Sequence, residues 1–165
     1  WETSSDVNIV TRPVMDGGDP SAPVFKTNGP ALSKDGLTLY VGSVDGRLIA
    51  LSTVSGTRRY EVQLDGPLFS APLVPNAVSP DAPDVYCATT ATTTEVSMYG
   101  IRGGRIIAKL AVPPGDTIEA DMAQTADGST LFVPDVYGSL FAIQAKSLWR
   151  APSTPEGGDG AVPPS

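Results

Sequence analysis

The chain of 165 residues carries 11 Lys plus Arg against 18 Asp plus Glu, a formal net charge of −7, with no histidine and one cysteine. That charge repels phosphate backbones and anionic lipid surfaces, so neither nucleic acid nor membrane insertion is an expected partnership. Lack of histidine removes the commonest general base near neutral pH, and one cysteine rules out an intrachain disulfide or a thiolate metal site.

Taken in chain order, residues 1–29 open on Trp1 rather than Met, so a leader or a longer protein is expected upstream. They hold one weak strand at 7–14 and the turn-rich Asp16-Gly17-Gly18-Asp19-Pro20, and read as an incoming strand and a long loop. Residues 28–68 follow as the first repeat unit. Pro30-Ala31-Leu32 is a short inner strand, Lys34-Asp35-Gly36 a turn, and Leu39-Tyr40-Val41 a second strand. Asp45-Gly46 makes a hairpin into the alternating Leu48-Ile49-Ala50-Leu51, and 57–64 is an outer strand.

The same order recurs over 69–115: an inner strand at 70–74, the turn Asp81-Ala82-Pro83-Asp84, and the strand Val85-Tyr86-Cys87. A Thr-rich loop from Thr89 to Thr94 leads into Val96-Ser97-Met98-Tyr99, with an outer strand at 105–112. Residues 116–150 give it a third time, with an inner strand at 120–123, Ala126-Asp127-Gly128, Leu131-Phe132-Val133, Tyr137-Gly138 and Leu140-Phe141-Ala142-Ile143. The run 141–149 is the nearest approach to a helical pattern, but its match to the earlier strands makes it a strand. Residues 151–165, with four Pro and three Gly and no periodicity, read as a flexible tail.

Tyr40, Tyr86 and Phe132 stand 46 residues apart each time. Units of four short strands at a fixed period are the signature of propeller blades, so the sequence predicts an all-β fold of about three four-stranded blades in an incomplete ring. The three aromatics are expected at equivalent places on the second strand of each blade. Cys87, inside an apolar run, is expected to be a small core residue.

The stretch LYVGSVDGRLIALSTVSGTRRYE, residues 39–61, resembles the repeat of the pyrroloquinoline-quinone-type β-propellers. Ser43, Asp45, Gly46, Leu48, Ala50, Leu51 and Gly56 fall on that family's pattern, with Tyr60 where it places a tryptophan. The second unit keeps Gly104 but has Ala108 at the aromatic position. The third keeps Gly138, Leu140, Ala142 and Ile143 and loses the later glycine. Trp1-Glu2 resembles Tyr60-Glu61, the end of an earlier blade. The resemblance implies that the glycine permits a sharp turn while the aromatic docks on the neighbouring blade. It also favours an extracytoplasmic or organelle-lumenal location.

Catalytic members of that family hold a quinone over Ca²⁺ with a stacking tryptophan and Glu, Asn and Asp ligands. Neither tryptophan of this chain lies in a middle blade, so no cofactor is expected. Asp116, Glu119 and Asp121 are the one acidic concentration with oxygen-ligand spacing. They lack the glycine-punctuated Asp-x-Asp-x-Asp loop and read as solvated carboxylates. Arg58 and Arg59, followed by Glu61, are expected to face opposite sides of an outer strand. With Thr89 and Thr94 they form a candidate interaction rim. The expected function is a non-catalytic protein-interaction scaffold, a subunit or domain of a larger assembly, docked on protein subunits through blade edges or rim loops. The alternatives are a fragment of a quinone-dependent dehydrogenase with its catalytic blades elsewhere, or a propeller binding sugar or peptide at the loops around 89–94 and 116–121.

Overall fold

The computed structural model describes residues 29–77, 79–90, 96–112 and 118–148. They form three antiparallel sheets of three or four strands each. Sheet 1 is a meander of β1 (Ala31–Leu32), β2 (Thr38–Gly42), β3 (Arg47–Ser52) and β4 (Arg58–Gln63). Sheet 2 holds β5 (Val85–Ala88), β6 (Val96–Arg102) and β7 (Arg105–Val112). Sheet 3 runs β8 (Ala123–Gln124), β9 (Thr130–Pro134) and β10 (Leu140–Gln144), and a short 3-10 helix, Ala145–Leu148, follows.

The registers superimpose. Tyr40 lies between Ala31 and Ala50, Tyr86 between Leu73 and Gly100, and Phe132 between Ala123 and Ala142. Each sheet therefore sets its central aromatic beside a small residue on the strand that follows, which leaves room for the ring. The outer strands share a bulge as well. Ala50 faces Tyr60 while Leu51 faces Arg58, and Gly100 faces Ala108 while Ile101 faces Ile106, so Arg59 and Ile107 are the extra residues.

Two apolar layers hold the sheets together. Between sheets 1 and 2 lie Tyr40, Leu48, Ala50 and Val62 on one side and Val85, Cys87, Tyr99 and Ile101 on the other. Between sheets 2 and 3 lie Tyr86, Met98 and Ala108 against Leu131, Val133 and Leu148. Strict alternation makes this possible, because odd and even residues of β5 and β6 serve opposite neighbours. Each such leucine or isoleucine contributes about 1.5–3 kcal/mol through burial.

Three expectations are corrected here. The inner strand at 70–74 reduces to a single bridge, Leu73 to Tyr86, because Pro72 and Pro75 carry no N–H to extend the ladder. The run 141–149 is strand only to Gln144 and then turns into the 3-10 helix, whose Leu148 is buried. That helix packs over sheet 2 where Ala108 replaces the aromatic, and the Leu148 carbonyl comes so close to Gly100 that a Cβ there would lie 2.5 Å from it. Arg58 and Arg59 do not simply alternate, since the bulge at Arg59 breaks the period and Arg58 pairs with Glu61 at 2.5 Å.

Candidate interaction surface

The turns at one end of the sheets are built from a repeated chemistry. In Ser33-Lys34-Asp35-Gly36, Asp35 Oδ1 accepts the Ser33 hydroxyl at 2.6 Å and the Leu37 N–H at 3.0 Å, and Ser33 Oγ accepts the Thr38 N–H at 2.8 Å. Two periods later Asp127 Oδ1 accepts the Thr125 hydroxyl at 2.6 Å and the Ser129 N–H at 3.0 Å, and Thr125 Oγ1 accepts the Thr130 N–H at 3.1 Å. These bonds to the charged form hold both carboxyls below the ordinary carboxylate range. Lys34 Nζ donates to the Asn76 carbonyl, and Asn76 Nδ2 donates to the Thr125 carbonyl at 3.0 Å, so the turns are bonded across all three sheets. A cleft of about 420 Å³ opens between Ser33, Asp35, Tyr40 and the 74–84 segment with Pro83 and Asp84.

At the hairpin end Ser43 donates to Asp45, and Asp45 pairs with Arg47 at 2.6 Å while the Gly46 φ of 84° closes the turn. In sheet 3 the carboxylate has moved to the first position, where Asp135 Oδ1 accepts the N–H of Tyr137 at 2.9 Å and of Ser139 at 2.6 Å. Gly138 keeps the positive φ, at 93°. Gly56 closes the β3 to β4 turn with φ of 73°. Its counterpart Gly104 has φ of 78°, and a Cβ built there would lie 3.1 Å from Cβ and Cγ of Tyr60. Thus the aromatic of sheet 1 rests on the glycine turn of sheet 2. Burial raises the Tyr60 phenol, and the nearby Tyr40 hydroxyl adds to this without a well-aligned hydrogen bond.

Of the candidate rim loop 89–94, the described residues Thr89 and Thr90 are not exposed. Thr89 and Thr90 are buried; Thr89 Oγ1 donates to Asp65 at 3.1 Å and Thr90 Oγ1 to the Ile118 carbonyl at 2.8 Å, so both hydroxyls bridge sheets. Lys109 pairs with the same Asp65 at 2.8 Å. Burial opposes ionisation of Asp65, but its bonds from Lys109, Tyr99 and Thr89 prevail and hold the carboxyl below its ordinary value. Thr94 lies outside the described residues, as does Asp116. Asp121 Oδ1 accepts the Ala71 N–H at 2.9 Å, a structural link from sheet 3 to the segment before sheet 2. Among the described residues no group of three or more His, Cys, Asp or Glu is placed to hold a metal ion. Cys87 is buried, which pushes its thiol pKa up and leaves it poorly nucleophilic.

An incomplete ring of three blades is expected to leave one face of the third blade without cover, and that face is the far side of sheet 3. Phe132, Pro134, Leu140 and Ala142 share one face by alternation and register. Their counterparts in sheet 1 include Tyr40, Leu48 and Ala50, all buried. Leu140 is 64% exposed where Leu48 and Met98 are at 0%, and Val136 and Tyr137 are exposed at the adjoining turn. The 46-residue period assigns Leu140 the place of Leu48.

Antiparallel meanders of three or four strands, stacked so that Tyr60 of the first rests on the glycine turn of the second, define a propeller-type all-β domain. The chain belongs to the PQQ_2 family, described as outer membrane protein assembly factor BamB, whose model matches residues 1–93. That family is non-catalytic. No curated protein matches the chain. Among solved structures it is similar to the hydrazine synthase of Kuenenia stuttgartiensis, at 16% identity and a TM-score of 0.55. The match covers 72% of this chain and 34% of that one, so this chain spans about a third of its length and the likeness is one of fold. No described helix is long and apolar enough to cross a membrane.

Proposed function

We propose that this chain is a non-catalytic scaffold whose blades, over 28–68, 69–115 and 116–150, dock on other protein subunits of an assembly. The observation that carries the reading is the apolar far side of sheet 3, an uncovered copy of faces that are buried within the stack. Membership of a family described by an assembly factor supports it. The chain's net charge of −7 favours a basic surface at the polar margin of the contact. Tyr40, Tyr86, Phe132, Gly104 and Tyr60 act in this reading as packing residues, and the compartment is extracytoplasmic or lumenal.

The test is chemical cross-linking in the source cells, read by mass spectrometry at Lys34, Lys109 and Lys146, alongside incubation of the purified chain with pyrroloquinoline quinone and Ca²⁺. The reading expects cross-links to other proteins and no quinone retained after ultrafiltration. Stoichiometric retention with dye-linked alcohol or sugar oxidation overturns it in favour of the dehydrogenase alternative.

A further inference from the structure

The outer strands of the three sheets are not alike. In sheets 1 and 2 the strand equivalent to β10, β3 or β6, is followed by a further strand, β4 or β7, that pairs along its outer edge. In sheet 3 the third strand, β10, is the outermost of the described residues. Its hydrogen-bond parity can be read from its neighbours. The Asp135 N–H donates to the Ser139 carbonyl and the Ala145 N–H to the Ser129 carbonyl. Residues 139, 141, 143 and 145 therefore turn their backbone groups toward β9, and Leu140, Ala142 and Gln144 turn theirs outward. In sheet 1 the same parity, set by Ser43 N–H to the Arg47 carbonyl, points Leu48 and Ala50 at β4, where Val62 and Tyr60 receive them.

Proteins blunt exposed edges with charge, proline or bulges. β4 carries Arg58, Arg59 and Glu61 with a bulge, and β7 carries Arg105 and Lys109 with a bulge. β10 reads LFAIQ, with no charge and no proline, and no register shift interrupts its pairing with β9. The uncharged run extends from Val136 to Ala145.

We infer that two copies of this chain associate through their β10 edges, antiparallel about a two-fold axis at Ala142, joining their third sheets into one. This rests on the interaction-scaffold reading and names the partner of one edge as a second copy. The sequence is self-complementary in that register. Ala142 meets Ala142 of the other copy, Leu140 meets Gln144, and Phe141 meets Ile143, an aromatic and β-branched cross-strand pair. The outward-facing residues of one edge meet those of the other, so the three N–H and three C=O groups of each edge all find partners. An isologous edge contact also closes at two copies rather than growing into a fibre.

The experiment is sedimentation equilibrium of the full 165-residue chain and of A142K, A142D and their equimolar mixture. Residue 142 is exposed in the free chain, so both variants keep the wild-type near-UV spectrum and thermal midpoint measured at high dilution. Wild type forms a concentration-dependent dimer. Each variant alone sets like charges directly opposite and associates at least tenfold more weakly, while the mixture recovers a one-to-one heterodimer. Ala142→Pro, which removes only an outward N–H, also abolishes the dimer with β9 pairing intact.

A wild-type monomer at every concentration overturns the inference. So does a dimer indifferent to residue 142, or slow amide exchange at 140, 142 and 144 in a monomer, which would put residues 7–14 or another strand of the same chain on the edge. A monomer that still cross-links to other subunits in cells defeats this inference alone and leaves the scaffold reading standing.

Discussion

Gly103 and Gly104 sit side by side in the turn between β6 and β7, both with positive φ, 54° and 78°. Replacing either by alanine places a Cβ in the left-handed region at a cost of about 1 kcal/mol. At Gly103 nothing lies within 4 Å of that Cβ, and the backbone cost is the whole cost. At Gly104 the new Cβ meets Tyr60 Cβ and Cγ at 3.1 Å and Cδ2 at 3.3 Å. These atoms are the root of the side chain and cannot swing aside, so relief requires sheet 1 to move off sheet 2. That overpacking adds about 1–3 kcal/mol. Gly103→Ala should therefore lower stability in urea by about 1 kcal/mol. For Gly104→Ala the sum of the two terms is about 2–4 kcal/mol, with m unchanged in both. In a Tyr60→Ala background, which removes two of the three close atoms, the penalty at Gly104 falls toward that at Gly103. Equal penalties at the two glycines, or a Gly104 penalty that ignores residue 60, would refute the docking of this aromatic on the next sheet's turn.

The pairing of equivalent turns predicts that Asp35→Asn and Asp127→Asn lower the thermal midpoint by the same small amount in calorimetry, and that both effects vanish as pH falls through the depressed folded-state values. On the alkaline side burial, and then its bond to Asp65, raises the Tyr99 phenol to about 12, and Tyr40, Tyr60 and Cys87 are raised by burial as well. Raised values favour the neutral folded form, so stability holds below about pH 9 and declines above it as the unfolded thiol and phenols ionise first. Phenolate absorbance and ellipticity should change together in that window, and tyrosines ionising before the fold is lost would contradict it. Cys87 should react with a disulfide reagent at least a hundredfold faster in urea than in buffer, and equal rates would contradict its burial.

Most strands were legible because their alternation is uninterrupted. β2, β3, β6 and β9 each present one residue in two to each neighbouring sheet, and the 46-residue period carries that pattern forward. What sequence reasoning missed depended on partners distant in the chain. Thr89 and Thr90 look like loop residues, yet their hydroxyls are satisfied by Asp65 and by the Ile118 carbonyl, which no local pattern announces. The loss of the aromatic at Ala108 was visible, but not that Leu148 would take up the freed space. The bulges at Arg59 and Ile107 are invisible to a two-residue period because they are its interruptions. Of the candidate surface, Thr89 is buried between segments rather than at a rim, and Thr94 lies outside the described residues. The uncovered face of the third sheet was legible from the incomplete ring, and the repeat gives Leu140 the place of Leu48 on it.

Among the described residues each sheet hydrogen-bonds only strands that are neighbours in the chain, and this sets a timetable for synthesis. Sheet 1 has every ladder partner once Gln63 has left the ribosome, yet the layer over Tyr40, Leu48 and Ala50 is complete only when Ile101 arrives, 38 residues later. At about 5–20 residues per second that apolar surface stays bare for about 2–8 s. Over that interval the nascent chain is a substrate for ribosome-associated chaperones, and a run of slow codons between residues 63 and 101 would lengthen its exposure.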